Sequence, residues 1–159
     1  SAISDEKEAV YREISAVEVT AAAGVRELLA GLQAAGYRQA LASAAPRANI
    51  DLVLRVLNLA DYFTALVDGS EVTEGKPHPE VFLLAAARLV VPPENSLVIE
   101  DAVYGVQAAR RAGACVIAVT TSHAAAELDA ADLVTHSLLS VSVADIDRIL
   151  STTVVKEGD

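Results

Sequence analysis

The sequence predicts a three-layer α/β fold, a doubly wound parallel sheet with helices on both faces. Two observations carry this expectation. Short apolar runs alternate with helical segments of about ten residues, joined by short loops, the pattern of right-handed βαβ units. The composition agrees: of 159 residues 53% are hydrophobic and only 4% aromatic, enough for one aliphatic core in a single domain.

Taken in order, residues 4–14 read as a charged helix, with Ser4 as N-cap and Asp5 and Glu6 in the first turn, where the helix dipole favours acids. Residues 15–23 lack periodicity and read as a connector. Helical spacing resumes over 24–35, where Val25, Leu28, Leu29 and Leu32 form a stripe and Gly36 suits the turn after the C-cap. A short buried strand over 38–42 ends at Ser43. Pro46 fits the first turn of the next helix, and Ile50, Val53, Leu54 and Leu57 give it an apolar face as far as Asn58. A strand over 63–67 is followed by a loop over 68–78, rich in glycine and charge. Helix 79–90 points Val81, Leu84, Ala85 and Leu89 inward and stops at Pro92 and Pro93. Strand 97–99, helix 103–112 closed by Gly113, and strand 115–119 come next. A weaker helix spans 123–131, a short edge strand 132–134, and a last helix 143–150 is capped by Ser142. Residues 151–159 read as a frayed polar tail.

Charge and composition exclude some partners. A net charge of −10 argues against nucleic acid, which needs a basic face, and against an anionic membrane surface. No apolar run is long enough to span a bilayer, and no signal-peptide pattern is present. The lone Cys115 lies in an apolar run and reads as a reduced core thiol; together these features predict a soluble, cytoplasmic protein. The chain contains no Met, so Ser1 is not a native initiator. Expression processing accounts for that, as does a chain that begins partway through a gene.

The chemistry concentrates in SLVIEDAVYG, residues 96–105, where an apolar strand runs into Glu100 and Asp101 and then a helix. Adjacent carboxylates at a buried strand end call for a cation. Mg2+ suits them better than Zn2+, because no Cys and no His pair stands nearby. The plainer alternative is a solvated acidic turn capping the helix. Ser43 in LASAAP and Lys76 in EGKPHPE also follow strands, so all four groups gather on the carboxyl edge of the sheet, where ligands bind in such folds. Ser43 as a simple helix cap and Lys76 as a solvated loop lysine are the competing readings. Together the groups supply a hydroxyl donor, a cation in a loop whose backbone Pro77 and Pro79 restrict, and an acid pair, which are the parts phosphoryl transfer needs. His78, His123 and His136 show no ligand spacing, and Arg110-Arg111 is sufficiently explained by the dipole of the helix it ends.

These segments, in this order, resemble the haloacid dehalogenase-like superfamily of phosphohydrolases, in the branch that holds β-phosphoglucomutase and phosphoglycolate phosphatase. LASAAPRANIDLVL resembles the family's second motif, GKPHPEVF the third, VIEDAVYGVQAARRAG the fourth and GVRELL its lead-in helix, over roughly residues 24–120. The resemblance implies a Rossmann-like α/β core over 24–150, with 1–23 a remnant of a helical cap and its return linker, and 151–159 the tail. It implies that Ser43 and the Ala44 N–H hold the substrate phosphate, that Lys76 bridges phosphate and nucleophile, and that Glu100 and Asp101 hold Mg2+. Arg47 and Asn49 would touch substrate, though capping and solvation explain them equally well.

One motif is missing. The family's Asp-x-Asp-Gly-Thr/Val run, whose leading aspartate is the nucleophile, occurs nowhere; Asp145-Ile146-Asp147 lies in the last helix with no strand before it. In the family that strand is central, between the strands ending at Ser43 and Glu100. Strands lie about 4.8 Å apart, so without it the sheet is either re-paired or split by roughly 10 Å. A split exposes about ten unpaired backbone groups, at about 1–3 kcal/mol each if buried. The expectation is therefore a Mg2+-dependent phosphatase of a small phosphorylated metabolite whose first strand and most of whose cap lie outside residues 1–159, leaving this segment inactive alone. A β-phosphoglucomutase-like mutase is the alternative chemistry. If the sequence is complete, a degenerate, non-catalytic binding module is the alternative class; a response-regulator receiver is disfavoured by the order of its motifs.

Overall fold

The computed structural model describes residues 21–154. The expected helix over 4–14 and most of the connector lie outside the described residues, as does the end of the tail over 155–159. Helix α1 (Val25–Ala34) buries Leu28 and Leu32. Gly36, at φ +86°, turns the chain out of it, and the N–H groups of Gly36 and Tyr37 reach back to the Gln33 and Leu32 carbonyls, each at 3.0 Å. Strand β1 (Ala40–Ala42), helix α2 (Arg47–Val56) and strand β2 (Ala65–Val67) follow, both strands shorter than the sequence predicts. Pro46 stands at the N-cap of α2 in an extended conformation, one position before the first turn expected for it.

Helix α3 (Glu80–Leu89), strand β3 (Leu97–Glu100), helix α4 (Val103–Arg111) and strand β4 (Cys115–Val119) agree with the apolar patterning to within a residue or two. Two expectations fail. The helix predicted over 123–131 is only a single 3-10 turn, Ala125–Leu128, which buries Leu128 alone and so lacks the apolar stripe that holds a longer helix. After β5 (Leu133–Thr135), helix α5 runs Val143–Val154, past the predicted end and into the supposed tail. The hydroxyls of Ser151 and Thr152 donate to the Asp147 and Arg148 carbonyls, which anchors those polar residues in the helix.

All strand pairs are parallel, β1 with β2 and β4 with β3 and β5. Side chains alternate along the wholly buried β4. Val116 and Ala118 pack with Val81, Phe82 and Val106 of α3 and α4, whereas Ile117 and Val119 pack with Leu28, Leu32 and Ile146 of α1 and α5. That alternation is the three-layer α/β architecture. Burial of Ile117 contributes about 1.5–3 kcal/mol, a share typical of a core isoleucine.

The sheet is divided. Among the described residues β1 and β3 each pair on one side only, and both line a cavity of about 530 Å3 walled by Leu28, Leu32, Phe82, Ala85 and Ile146. Of the two outcomes foreseen, the described residues adopt the split. Ile99 in the middle of β3 consequently stays 37% exposed, whereas Ile117 on β4 is fully covered.

Candidate active site

Parallel pairing brings the chemical groups to strand ends. Ser43 directly follows β1, its N–H donating to the Val67 carbonyl at 3.0 Å and so extending the pairing with β2. The Ser43 Oγ accepts the Ala45 N–H at 3.1 Å. Lys76 lies in the loop after β2, Glu100 ends β3 and Asp101 follows it. Ala42, just before Ser43, and Glu100 line the same cavity.

Lys76 crosses from the β2 side to β3, where its ammonium forms an ion pair with Glu100. The pair is mostly covered, the lysine side chain 22% and the glutamate 9% exposed, so neither is the solvated surface group of the competing reading. The ammonium also sits 4.8 Å from the centre of the Phe82 ring, a cation–π contact. The Lys76–Pro77 peptide is cis, and Arg111 at the end of α4 donates to the Pro77 carbonyl at 3.1 Å. Arg111 thus pins the lysine loop, a role beyond the helix dipole that the sequence suggested; Arg110 pairs with Asp132 at 3.0 Å.

The second oxygen of Glu100 accepts the Asp101 and Ala102 N–H groups at 3.1 and 3.3 Å, at the N-terminus of α4. Both Glu100 oxygens are therefore engaged, so the residue expected to share a metal is first of all the partner of Lys76. Asp101 is exposed and accepts the Ser122 hydroxyl at 2.7 Å through Oδ2. The donor chemistry fits Mg2+, a hard ion that takes one or two protein carboxylates and completes its shell with water and phosphate oxygens. Among the described residues no group of three or more His, Cys, Asp or Glu side chains forms a fuller cage.

Arg47 and Asn49, the expected substrate contacts, part ways: Arg47 is exposed and pairs with Asp51 at 2.9 Å along α2, while Asn49 is buried. Burial makes Asn49 a poor candidate to meet a substrate from solvent. His78 bonds Glu74 at 2.8 Å and His123 faces Glu127, each within its own loop, while His136 after β5 bonds Thr120 after β4. Sequence reasoning missed the network behind the site. Arg88 pairs with Glu71 and donates to the Leu66 carbonyl, and the Glu71 carboxylate accepts the Asp68 N–H at 2.9 Å. The Arg88 bond and then that N–H draw the Glu71 carboxyl down to about 2. It also missed Gly105, against which the Glu100 carboxylate lies, although a glycine in the first turn after an acid pair was a readable signal. Among the described residues, no helix is long and apolar enough to cross a membrane.

Comparison with known proteins follows the same lines. The family profile for haloacid dehalogenase-like hydrolases matches residues 2–113. A haloacid dehalogenase-like hydrolase domain-containing protein of Arabidopsis thaliana is 35% identical over 157 residues, covering 96% of this chain and 50% of that protein. A phosphorylated carbohydrates phosphatase of Thermotoga maritima is 39% identical over 111 residues, 70% of this chain and 50% of that protein. Among solved structures, a β-phosphoglucomutase from Clostridium difficile superposes with a TM-score of 0.84 at 29% identity, over 95% of this chain and 66% of that one. The chain spans about half the length of these two curated relatives.

Proposed function

The chain belongs to the haloacid dehalogenase-like hydrolases, and from that membership we propose that it forms most of the α/β core of a Mg2+-dependent phosphatase of a small phosphorylated metabolite. The observation that carries this is the Lys76–Glu100 ion pair, a mostly covered cation fixed where β3 ends, next to Asp101 and on the same sheet edge as Ser43. Residues 24–150, with the rest of α5, are the core in this reading. Its first strand, bearing the attacking aspartate, fills the cavity between β1 and β3, and the cap completes the site above it.

Ser43 and the Ala44 N–H bind the phosphoryl oxygens. Because Ser43 Oγ already accepts the Ala45 N–H, its own proton remains available to donate. The N-terminus of α2 adds partial positive charge at the same place. Lys76, held by Glu100, places a full charge beside the reacting group, so the developing negative charge is met by a fixed cation. Asp101, with Glu100 beside it, would hold Mg2+, which when bound neutralises phosphoryl oxygens. The aspartate attacks phosphorus, the bond to the metabolite oxygen breaks, and water then hydrolyses the aspartyl-phosphate to free the enzyme and inorganic phosphate.

A phosphomutase is the second reading, favoured by the likeness to β-phosphoglucomutase. The full-length gene product, incubated with sugar phosphates and Mg2+, should release inorganic phosphate. Isomerised sugar phosphate without release would support the mutase, and neither product would overturn both.

A further inference from the structure

Resting on the reading of Ser43 as a phosphate donor, we propose that Gly69 is a positioning residue that sets the Ser43 hydroxyl toward the bound anion. A Cβ on Gly69 would lie 2.2 Å from the Ala44 oxygen and 2.8 Å from its carbonyl carbon. Those are backbone atoms, which cannot swing aside as a side chain does. The φ of Gly69 is outside the left-handed region, so glycine is required by space and not by backbone angle.

The peptide carrying the Ala44 oxygen also carries the Ala45 N–H, the group that donates to Ser43 Oγ at 3.1 Å. Tilting that peptide withdraws the N–H, and the hydroxyl is then free to turn its proton elsewhere. The Gly69 N–H donates to the Ala45 carbonyl at 3.1 Å, and the Ser43 N–H donates to the Val67 carbonyl at 3.0 Å, so the exit of β2 grips both ends of the loop. These bonds use the N–H groups of Ser43 and Ala45 and leave that of Ala44 for the anion.

Gly69 is itself firmly placed. Asp68 beside it is buried and accepts the Ser70 N–H at 2.8 Å and the Ser70 hydroxyl at 2.5 Å. The Asp68 N–H is bound to Glu71, which Arg88 holds in turn. A Cβ at 69 therefore displaces the Ser43 loop and not the turn behind it.

The test titrates inorganic phosphate into the full-length gene product by calorimetry, for wild type, Gly69→Ala, Ser43→Ala and the double variant, with melting temperatures alongside. Gly69→Ala should weaken phosphate binding about tenfold or more, the loss of one hydrogen bond to a charged group. The double variant should bind no more weakly than Ser43→Ala alone, since both changes remove the same interaction. Gly113→Ala, before β4 at the opposite edge of the sheet and strained at φ +86°, should lower the melting temperature yet bind phosphate as wild type does. Additive losses in the double variant, or unchanged affinity in Gly69→Ala, overturn the proposal. Unchanged affinity in Ser43→Ala refutes the phosphate site itself. Should Gly69→Ala not fold, wild-type amide spectra decide. The Gly69 and Ala45 resonances should titrate with the same dissociation constant as Ala44, and a Gly69 resonance that stays still overturns the inference.

Discussion

Gly105→Ala should change the sign of its effect on stability according to the residue at position 100. A Cβ on Gly105 would sit 2.1 Å from the Glu100 carboxyl carbon and 2.3 and 2.4 Å from its oxygens. Ordinary carbon contacts are about 3.5–4.0 Å, so the carboxylate must withdraw by about 1 Å or more. The Asp101 and Ala102 N–H bonds, at 3.1 and 3.3 Å, do not survive that displacement, and Lys76 loses its partner. Hydrogen bonds to a charged group are worth about 1.5–3 kcal/mol each. Water replacing most of the three interactions at the displaced carboxylate, the freed N–H groups and the partly exposed lysine leaves a loss of about 2–3 kcal/mol. Opposing it, replacing glycine by alanine inside α4 gains about 1 kcal/mol of helix propensity. The net is a destabilisation of about 1–2 kcal/mol in wild type. In a Glu100→Ala background the clash is gone, and the same substitution should stabilise by about 1 kcal/mol. Urea unfolding of the four proteins, with slopes compared to exclude changes in the unfolded state, measures both values. Stabilisation by Gly105→Ala in both backgrounds would refute the placement of Glu100.

Three further outcomes follow from particular residues. Val90, 78% exposed, ends α3 at φ 56°, a conformation that disfavours a β-branched side chain; Val90→Gly should raise stability by about 1 kcal/mol, read as a higher urea midpoint at unchanged slope. Glu71 has its carboxyl lowered from 4.5 to about 2 by Arg88 and the Asp68 N–H, so its stabilising effect is complete above the unfolded value and fades as pH falls through the folded one. Glu71→Gln should therefore be less stable than wild type near neutrality, with the difference closing between about pH 4.5 and pH 2; a difference constant with pH would contradict the pairing. Asp101→Ala in the full-length gene product should abolish Mg2+ dependence, whereas Lys76→Ala should slow turnover with less effect on metal affinity. An unchanged Mg2+ titration in Asp101→Ala counts against the site.

What the sequence revealed depended on whether a local pattern was enough. The CVIAV run of β4 is readable because a central strand buried on both faces has no alternation to obscure it, and its bounds agree with the structure to the residue. The Schellman turn at Gly36 was readable from one glycine after an apolar stripe. The helix over 123–131 misled because an alanine-rich stretch has propensity without a face to bury. The tail misled in the opposite direction, since Ser151 and Thr152 look like coil formers until their hydroxyls are seen bonded back to the preceding turn.

The placement of Ser43, Lys76, Glu100 and Asp101 at or after strand ends was legible because short apolar runs mark the strands of a parallel sheet. What each group holds was not. Glu100 turns to Lys76 because Gly105 leaves room above the α4 N-terminus, a contact made by folding across 24 residues of chain. Gly69 and Ala44 meet across two strands, and Arg111 reaches Pro77 from another helix, so no spacing rule announces either.

The most direct measurement is hydrolysis of a generic aryl phosphate, with and without Mg2+, by the full-length gene product and by residues 1–159 alone. The account predicts Mg2+-dependent turnover by the first and none by the second, because it proposes that the attacking aspartate lies on a strand filling the cavity between β1 and β3. Equal activity in both would contradict it.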